Sequence, residues 1–289
     1  MSVNWLEIGL GVGLLALILI ELRDPQFRHG WRLDPGRTKR NLGFGLASLA
    51  VLVVLKWTNA AVQSLPMVRL LDWSQAGVLA PVACALVAEL AGWSLHYVKH
   101  RNAFLWKFHF QHHRDHQYNI WLTAHTHGLE VIVSGVILAV LLSLVGFSVL
   151  TIEIYLVYYG LMKVLQHSAR DYSFGFLDRI LVTPGYHRLH HEVNSACNYG
   201  ITLTVFDVVF RTARWPLPAP DPRDYGVSPD DALPFGFWEE MTFFLRRPRA
   251  AAKPRIEDAD RLSGQAAGAR LVSAAATVSG PIAPAKPQD

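Results

Sequence analysis

The chain is short of the residues that several classes of protein depend on. It has two cysteines in 289 residues, Cys84 and Cys197. Two so far apart make no disulfide framework and no cluster for an iron–sulfur centre. Charged residues are 17% of the chain, against about 25% in an ordinary soluble domain. That scarcity, with a net charge of only +4, excludes a disordered chain and a nucleic-acid-binding one. There is no GxGxxG turn, no haem- or flavin-binding segment and no HExxH: His191-Glu192 is followed by Val-Asn-Ser. No Lys or Arg precedes the first apolar stretch and no small-x-small site comes after it, which argues against a cleaved leader.

What the chain has is apolar length and histidine. Apolar residues are 51% of the total, and thirteen histidines lie among 289 residues. Val131–Ile152 carries no charge at all, enough for a membrane-spanning helix. The stretch Glu130–Gln166 is too long for one span, so two helices turning near Gly146–Ser148, or a hairpin that does not fully cross, are expected. Ala76–Leu95, broken only by Glu89, is another span. Leu42–Leu65 is a third, with Lys56 able to snorkel. Val3–Leu22 is the weakest, flanked by Glu7 and Glu21.

Charge sets an expected orientation. Arg23, Arg28, Arg32, Arg37, Lys39 and Arg40 lie between the first two spans, so that loop should be cytoplasmic and the N-terminus outside. Lys99, Arg101 and Lys107 end the third span, and Lys163, Arg170, Arg179 and Arg188 end the hairpin. All histidines after the third span then fall at the cytoplasmic surface. Trp215–Pro229 holds five prolines and reads as an extended connection. Phe235–Leu245 is aromatic, suited to an interfacial helix or a packing helix. Ala250–Asp289 has the composition of a disordered tail. The expected organisation is 1–70, N-terminal transmembrane helices; 71–215, further transmembrane helices with most of the histidines; 216–249, an interfacial segment ending on the cytoplasmic side; and 250–289, the tail.

The histidines form three clusters. His96 and His100 stand at i, i+4. His109, His112 and His113 stand at i, i+3, i+4, and His187, His190 and His191 repeat that spacing. Residues three and four apart share a helix face, so each cluster should present one patch of nitrogens. Neutral imidazole is a common ligand for zinc, copper, iron and nickel. Eight clustered histidines are too many for one tetrahedral ion and suit two ions of higher coordination number. A histidine-rich pair that keeps positions open for oxygen points to iron, but the sequence alone does not choose the element. HxxxH alone is a weak signal, but it gains weight from the HxxHH thirteen residues on. A lone histidine such as His29 is an ordinary core or surface residue, and adjacent triplets at a membrane surface do not suit haem.

The order HxxxH, HxxHH, HxxHH resembles the membrane fatty acid hydroxylase and sterol desaturase superfamily, over about Glu89–Arg211. Glu89 precedes the first histidine by seven residues, as an acidic residue does there. Leu105-Trp-Lys-Phe-His109-Phe-Gln-His112-His113 is similar to the second box. Thr123-Ala-His125-Thr-His127-Gly-Leu-Glu130 is similar to its RxHPxE segment, with His125 for Arg and Gly128 for Pro. Gln166-His167-Ser168 and Leu177–Pro184 resemble the approach to the third box; Asn198-Tyr-Gly200 and Phe206-Asp207 resemble the segment beyond that box.

The resemblance implies an all-α, polytopic integral membrane bundle of four or five spans with a cytosolic, histidine-rich di-metal cap. It implies two iron ions held by ten ligands, the eight clustered histidines with His127 and His167 added, that activate O₂ and oxidise a C–H bond of a lipid. His116 and His125 are expected around the ligands or in solvent. A ligating imidazole needs its second nitrogen held by an acceptor; Glu89, Asn198 and Asp207 are candidates for that role, as are Glu192 and Asn194, and each also suits a structural one. Fatty acyl chains, sterols, hopanoid-like rings, carotenoids and ether lipids all fit as substrate, and hydroxylation is expected over desaturation. Electrons must come from a separate donor, a ferredoxin or a b-type cytochrome with its reductase. Arg101, Lys107, Arg114 and Arg188 would offer an acidic donor a basic surface. Two rivals belong to other classes: a metal transporter or storage protein, which would string its ligands across the bilayer, and a non-catalytic lipid-binding relative.

Overall fold

A computed structural model describes residues 5–23, 35–66, 68–216, 225–227 and 236–245. These residues are helical, joined by turns and two isolated β-bridges, Leu181 with Leu203 and Glu192 with Tyr225. The longer helices are α1 (Trp5–Glu21), α2 (Pro35–Ser64), α3 (Leu79–Arg101), α4 (Ala103–His113), α5 (Gly128–Val145) and α6 (Val149–Gln166); α7 (Pro184–His190), α8 (Val205–Val209) and α9 (Phe237–Met241) are short.

Among the described residues, four helices are long and apolar enough to cross a membrane: Lys39–Ser64 within α2, then α3, α5 and α6. The chain is therefore a polytopic integral membrane bundle. α1, at 17 residues, measures about 26 Å and is a shorter apolar helix beside them. α1 packs on α6 through small residues: a Cβ on Gly13 would lie 2.6 Å from Leu161 Cδ2.

The expected hairpin turns at Gly146–Ser148. Gly146 ends α5 in the left-handed region, φ 103°, and a Cβ there would meet the Leu71 carbonyl oxygen at 2.0 Å, so only glycine fits. Ser148 then caps α6, its Oγ accepting from Thr151 N at 3.2 Å. Cys84 and Ala88 of α3, Leu142 of α5, and Phe147, Ile152 and Tyr155 form the buried core between these spans.

One residue decides how the first two histidine clusters meet. Asn102 is extended (φ −108°, ψ 117°), ending α3 and starting α4. Its Oδ1 accepts from Phe104 N at 2.9 Å and Leu105 N at 3.1 Å, satisfying donors a helix start leaves open. The chain folds back at this point, and His109 comes to face His96. Thr183 caps α7 in the same way, with Pro184 at the first helical position.

His29, most of 215–229 and all of 250–289 lie outside the described residues. From the Phe235–Leu245 stretch, residues 236–245 are described; they form α9 and a 3₁₀ turn at Phe243–Leu245 and pack on the helices. Phe237 meets Phe44 of α2, ring centroids 5.1 Å apart. Phe244 stacks on Phe108 of α4 at 5.1 Å, and buried Glu240 pairs with Arg114.

Candidate metal centre

Nine histidines gather into two adjoining groups. His96, His100, His109, His113 and His190 form one, and His112, His167, His187 and His191 form the other; within each group one nitrogen per ring lies within 4.8 Å of all the others. Neither triplet serves one group, which corrects the expectation of a single patch per cluster. His109 and His113 point to the first group and His112 to the second, whereas His187 and His191 point to the second and His190 to the first. Successive helical residues diverge by about 100°, so the adjacent pairs His112-His113 and His190-His191 each straddle the two groups. His113 and His191 stack where the groups touch, centroids 4.4 Å apart and 18° from parallel.

The groups lie at one end of the bundle. His96 and His100 end α3, and His167 caps the C-terminus of α6. The N-terminal ends of α2 and α5 come to the same place, because Asn41 accepts from His125 Nε2 at 2.7 Å and Glu130 from His109 Nδ1 at 2.9 Å.

Five rings have their Nδ1 held by a group that can only accept. His96 donates to Tyr199 O (2.9 Å), His109 to Glu130 Oε1 (2.9 Å), His112 to His125 O (3.3 Å), His167 to Lys163 O (2.7 Å) and His190 to Cys197 O (2.8 Å). With the proton on Nδ1, a neutral ring carries its lone pair on Nε2. Burial, reinforced by the neighbouring imidazoles, holds His112, His113, His187 and His191 well below the ordinary imidazole value. Burial likewise takes His167 and His190 down to about 3. At neutral pH these rings are uncharged.

That protonation pattern leaves nitrogens unsatisfied. His112 and His167 point Nε2 at Nε2, 3.3 Å apart, and both are committed at Nδ1, so two lone pairs face each other. Nε2 of His100, His113 and His190 is buried with no hydrogen-bond partner. Unsatisfied buried nitrogens cost about 1–3 kcal/mol each, and a cation among them removes that cost. The donor set, nitrogen throughout, fits a pair of transition ions.

His127 joins neither group. Its Nδ1 accepts from Leu129 N at 3.2 Å as the cap of α5, and its Nε2 donates to Met241 O at 3.0 Å. His116, exposed, meets Tyr225 O at 2.8 Å. His125 is buried and contributes a backbone carbonyl, to His112.

The expected orienting residues act at one remove. Glu89 accepts from Thr202 N and Oγ1, Leu203 N and Tyr155 OH, holding a loop. Asp207 accepts from Trp93 Nε1, Tyr186 OH, Thr212 Oγ1 and the amides of Tyr199 and Gly200, and so fixes the residue whose carbonyl holds His96. Asn198, at φ 57°, ties Tyr186 O to the backbone of Arg214. Glu192 pairs with Arg214 at 3.2 Å, and Asn194 occupies the left-handed region at φ 61°. The carboxylate that touches a ring is Glu130, which also accepts from Lys99 Nζ at 2.8 Å. Its place three residues after His127 was the available signal. The four carbonyl acceptors leave no trace in a sequence.

The basic residues expected to form a docking surface also make internal contacts: Lys107 Nζ donates to Phe244 O at 3.5 Å, and the Arg101 guanidinium lies over the Tyr97 ring at 5.0 Å. Arg114 pairs with Glu240. Arg188 donates to Ser168 O and Ala169 O, both at 3.1 Å, and pairs with Asp171 at 2.9 Å.

Residues 81–212 match the family model described as fatty acid hydroxylase. The chain is also similar to a protein of Caenorhabditis elegans named alkylglycerol monooxygenase, with 22% identity over 173 residues, 58% of this chain and 32% of the relative. The chain thus spans about a third of that relative's length. No solved structure matches it.

Proposed function

On the likeness of residues 81–212 to the fatty acid hydroxylase family, we propose that the chain is an O₂-dependent di-iron oxidoreductase acting on a C–H bond of a membrane lipid, by hydroxylation rather than desaturation. The observation that carries this reading is the pair of adjoining imidazole groups at one end of four apolar helices, with Nδ1 of five of the nine rings held by acceptors. A monooxygenase among the relatives, named for an alkylglycerol, supports hydroxylation and makes an ether lipid one candidate substrate beside fatty acyl chains and sterols.

His96, His100, His109, His113 and His190 would hold one iron, and His112, His167, His187 and His191 the other. When bound, the iron pair supplies what no side chain can, activation of O₂ and attack on an aliphatic C–H bond. The net reaction takes one O₂, two electrons and two protons, and yields the alcohol and water. The chain's own residues do the rest. Carbonyls and Glu130 orient the rings and keep Nε2 unprotonated. Buried Tyr118, its OH donating to Gln166 O at 2.6 Å, closes the second group, with its ring 5.4 Å from that of His191. Trp106 flanks the first, 5.0 Å from His100. The apolar spans below bring the substrate in from the bilayer.

The two electrons come from a separate cytoplasmic donor, a ferredoxin or a b-type cytochrome with its reductase. The basic residues at this end of the spans support a centre on the cytoplasmic face, with the N-terminus outside and the C-terminus cytoplasmic.

Anaerobic purification followed by iron analysis tests the cofactor: two irons per chain are expected, and fewer than one in active protein overturns the assignment. Lipid analysis of cells with and without the gene, under ¹⁸O₂, tests the reaction. The expected product carries one ¹⁸O in a new hydroxyl. A new double bond in its place makes the enzyme a desaturase, and an unlabelled hydroxyl removes O₂ as the source.

A further inference from the structure

After the last histidine pair the chain does not stay on the end of the bundle. Glu89 lies midway along α3, and its carboxylate holds Thr202 N at 2.9 Å, Thr202 Oγ1 at 2.6 Å and Leu203 N at 3.0 Å. Seven residues separate Glu89 from His96, about 10 Å along the helix, so the backbone at 202–203 is drawn that far toward the other membrane face. Nearer the histidines, Trp93 Nε1 donates to Asp207 at 2.9 Å, and its indole stacks on Phe210 at 4.3 Å. Ile201 sits so close to Gly92 that a Cβ there would be 2.7 Å from Ile201 Cγ1. Residues 200–210 therefore run alongside a membrane span.

The polar groups of this segment turn inward. Asp207, the sole charged residue from Gly200 to Phe210, is fully buried under five donors. Thr204 Oγ1 donates to Arg179 O at 2.7 Å. Thr204 N donates to Ile180 O, and Thr202 O accepts from Val182 N. The apolar side chains turn outward: Val208 is 53% exposed, Val209 61% and Phe210 48%, with Val205 beside them. This is the reverse of a water-facing surface, and it is what a hydrocarbon surround demands. The face is also continuous with the span. Leu86 and Leu90 precede Trp93 by seven and three residues, so they share its side of α3, and both are exposed. Arg211 comes directly after Phe210, placed to reach headgroups.

We propose that residues 200–210 form an apron immersed in one leaflet, with Val205, Val208, Val209 and Phe210 against lipid acyl chains. The apron anchors the loop that carries Tyr199, and through it His96, to the bilayer itself. Depth measurement tests this. Val208→Cys and Val209→Cys are each spin-labelled in a full-length Cys84→Ala, Cys197→Ser background and reconstituted in phosphatidylcholine vesicles, with Leu86→Cys as the lipid-facing reference. If one substitution disturbs folding, seen as a changed elution volume, the other carries the test. Collisions with O₂, which concentrates in lipid, should exceed those with a water-soluble nickel chelate, by a ratio within about twofold of the reference. A ratio dominated by the chelate puts the face in water and overturns the proposal. Exclusion of both probes with spin–spin broadening overturns it in favour of a second copy of the chain.

Discussion

Glu130 gives the sharpest test of how the first group is built. One carboxylate oxygen accepts from His109 Nδ1 at 2.9 Å and from Lys99 Nζ at 2.8 Å. Glu130→Gln keeps the shape and an acceptor but removes the charge. A hydrogen bond to a charged group is worth about 1.5–3 kcal/mol, and loss of an orienting partner typically costs about 10–100-fold in metal affinity, or about 1.4–2.7 kcal/mol; the two magnitudes agree. Lys99 also loses its partner, but its side chain is 16% exposed and its ammonium can reach water, so the fold should lose less than the roughly 3–5 kcal/mol of a fully buried broken pair. The double variant Lys99→Met, Glu130→Gln separates the effects: stability should return and metal affinity should not. The assay is iron retained per chain against graded chelator under anaerobic conditions. One of two irons should leave at about 10–100-fold lower chelator than in wild type, and the other should stay. His127→Ala, as control, should keep both. Release of both irons together, or of neither, would overturn this account of the first group, as would loss of iron from the His127 variant.

The split of the triplets predicts that His113→Ala and His112→Ala each lose one iron, and different ones; identical residual spectra in the two cobalt-substituted variants would contradict it. Glu21, 1% exposed at the end of α1, accepts from Ser168 Oγ at 2.7 Å and Ala169 N at 2.6 Å, just beyond His167. Glu21→Leu strands two donors at about 1–3 kcal/mol each, so the melting temperature should fall by several degrees and the second group should release its iron more readily; an unchanged melting curve would count against this brace. In metal-free protein, His167 and His190 are held down to about 3 by burial, against about 6.5 in the unfolded chain. Below pH 6.5 the unfolded state takes up protons that the folded state refuses, so stability is flat above that pH and declines from there toward pH 3. Thermal melts of apoprotein from pH 8 to 4 check the sign, and a midpoint that rises on acidification would be wrong for buried neutral rings.

The spans, the hairpin turn and the eight clustered histidines were legible because each is a local property. Apolar length, a glycine between two apolar runs and spacings of three and four residues need no partner to be read. Glu89 was legible as unusual, since a carboxylate inside a span needs a reason, but its partners are 113 residues away, and distance in sequence hid that it holds a loop and not a ring. His127 was expected among the ligands from the resemblance of its segment; in the folded chain its nitrogens meet the carbonyl of Met241 and the start of α5.

Composition and spacing alone showed what chemistry to expect: imidazole nitrogens in quantity, near the ends of apolar spans. Their allocation had to wait for the folded chain. Which ring belongs to which group depends on the break at Asn102, on neighbours in a helix diverging by about 100°, and on backbone carbonyls that choose the proton-bearing nitrogen. Every residue has a carbonyl, so no pattern of side chains marks the few that matter; only folding brings Tyr199, Lys163, Cys197 and His125 to the rings they hold.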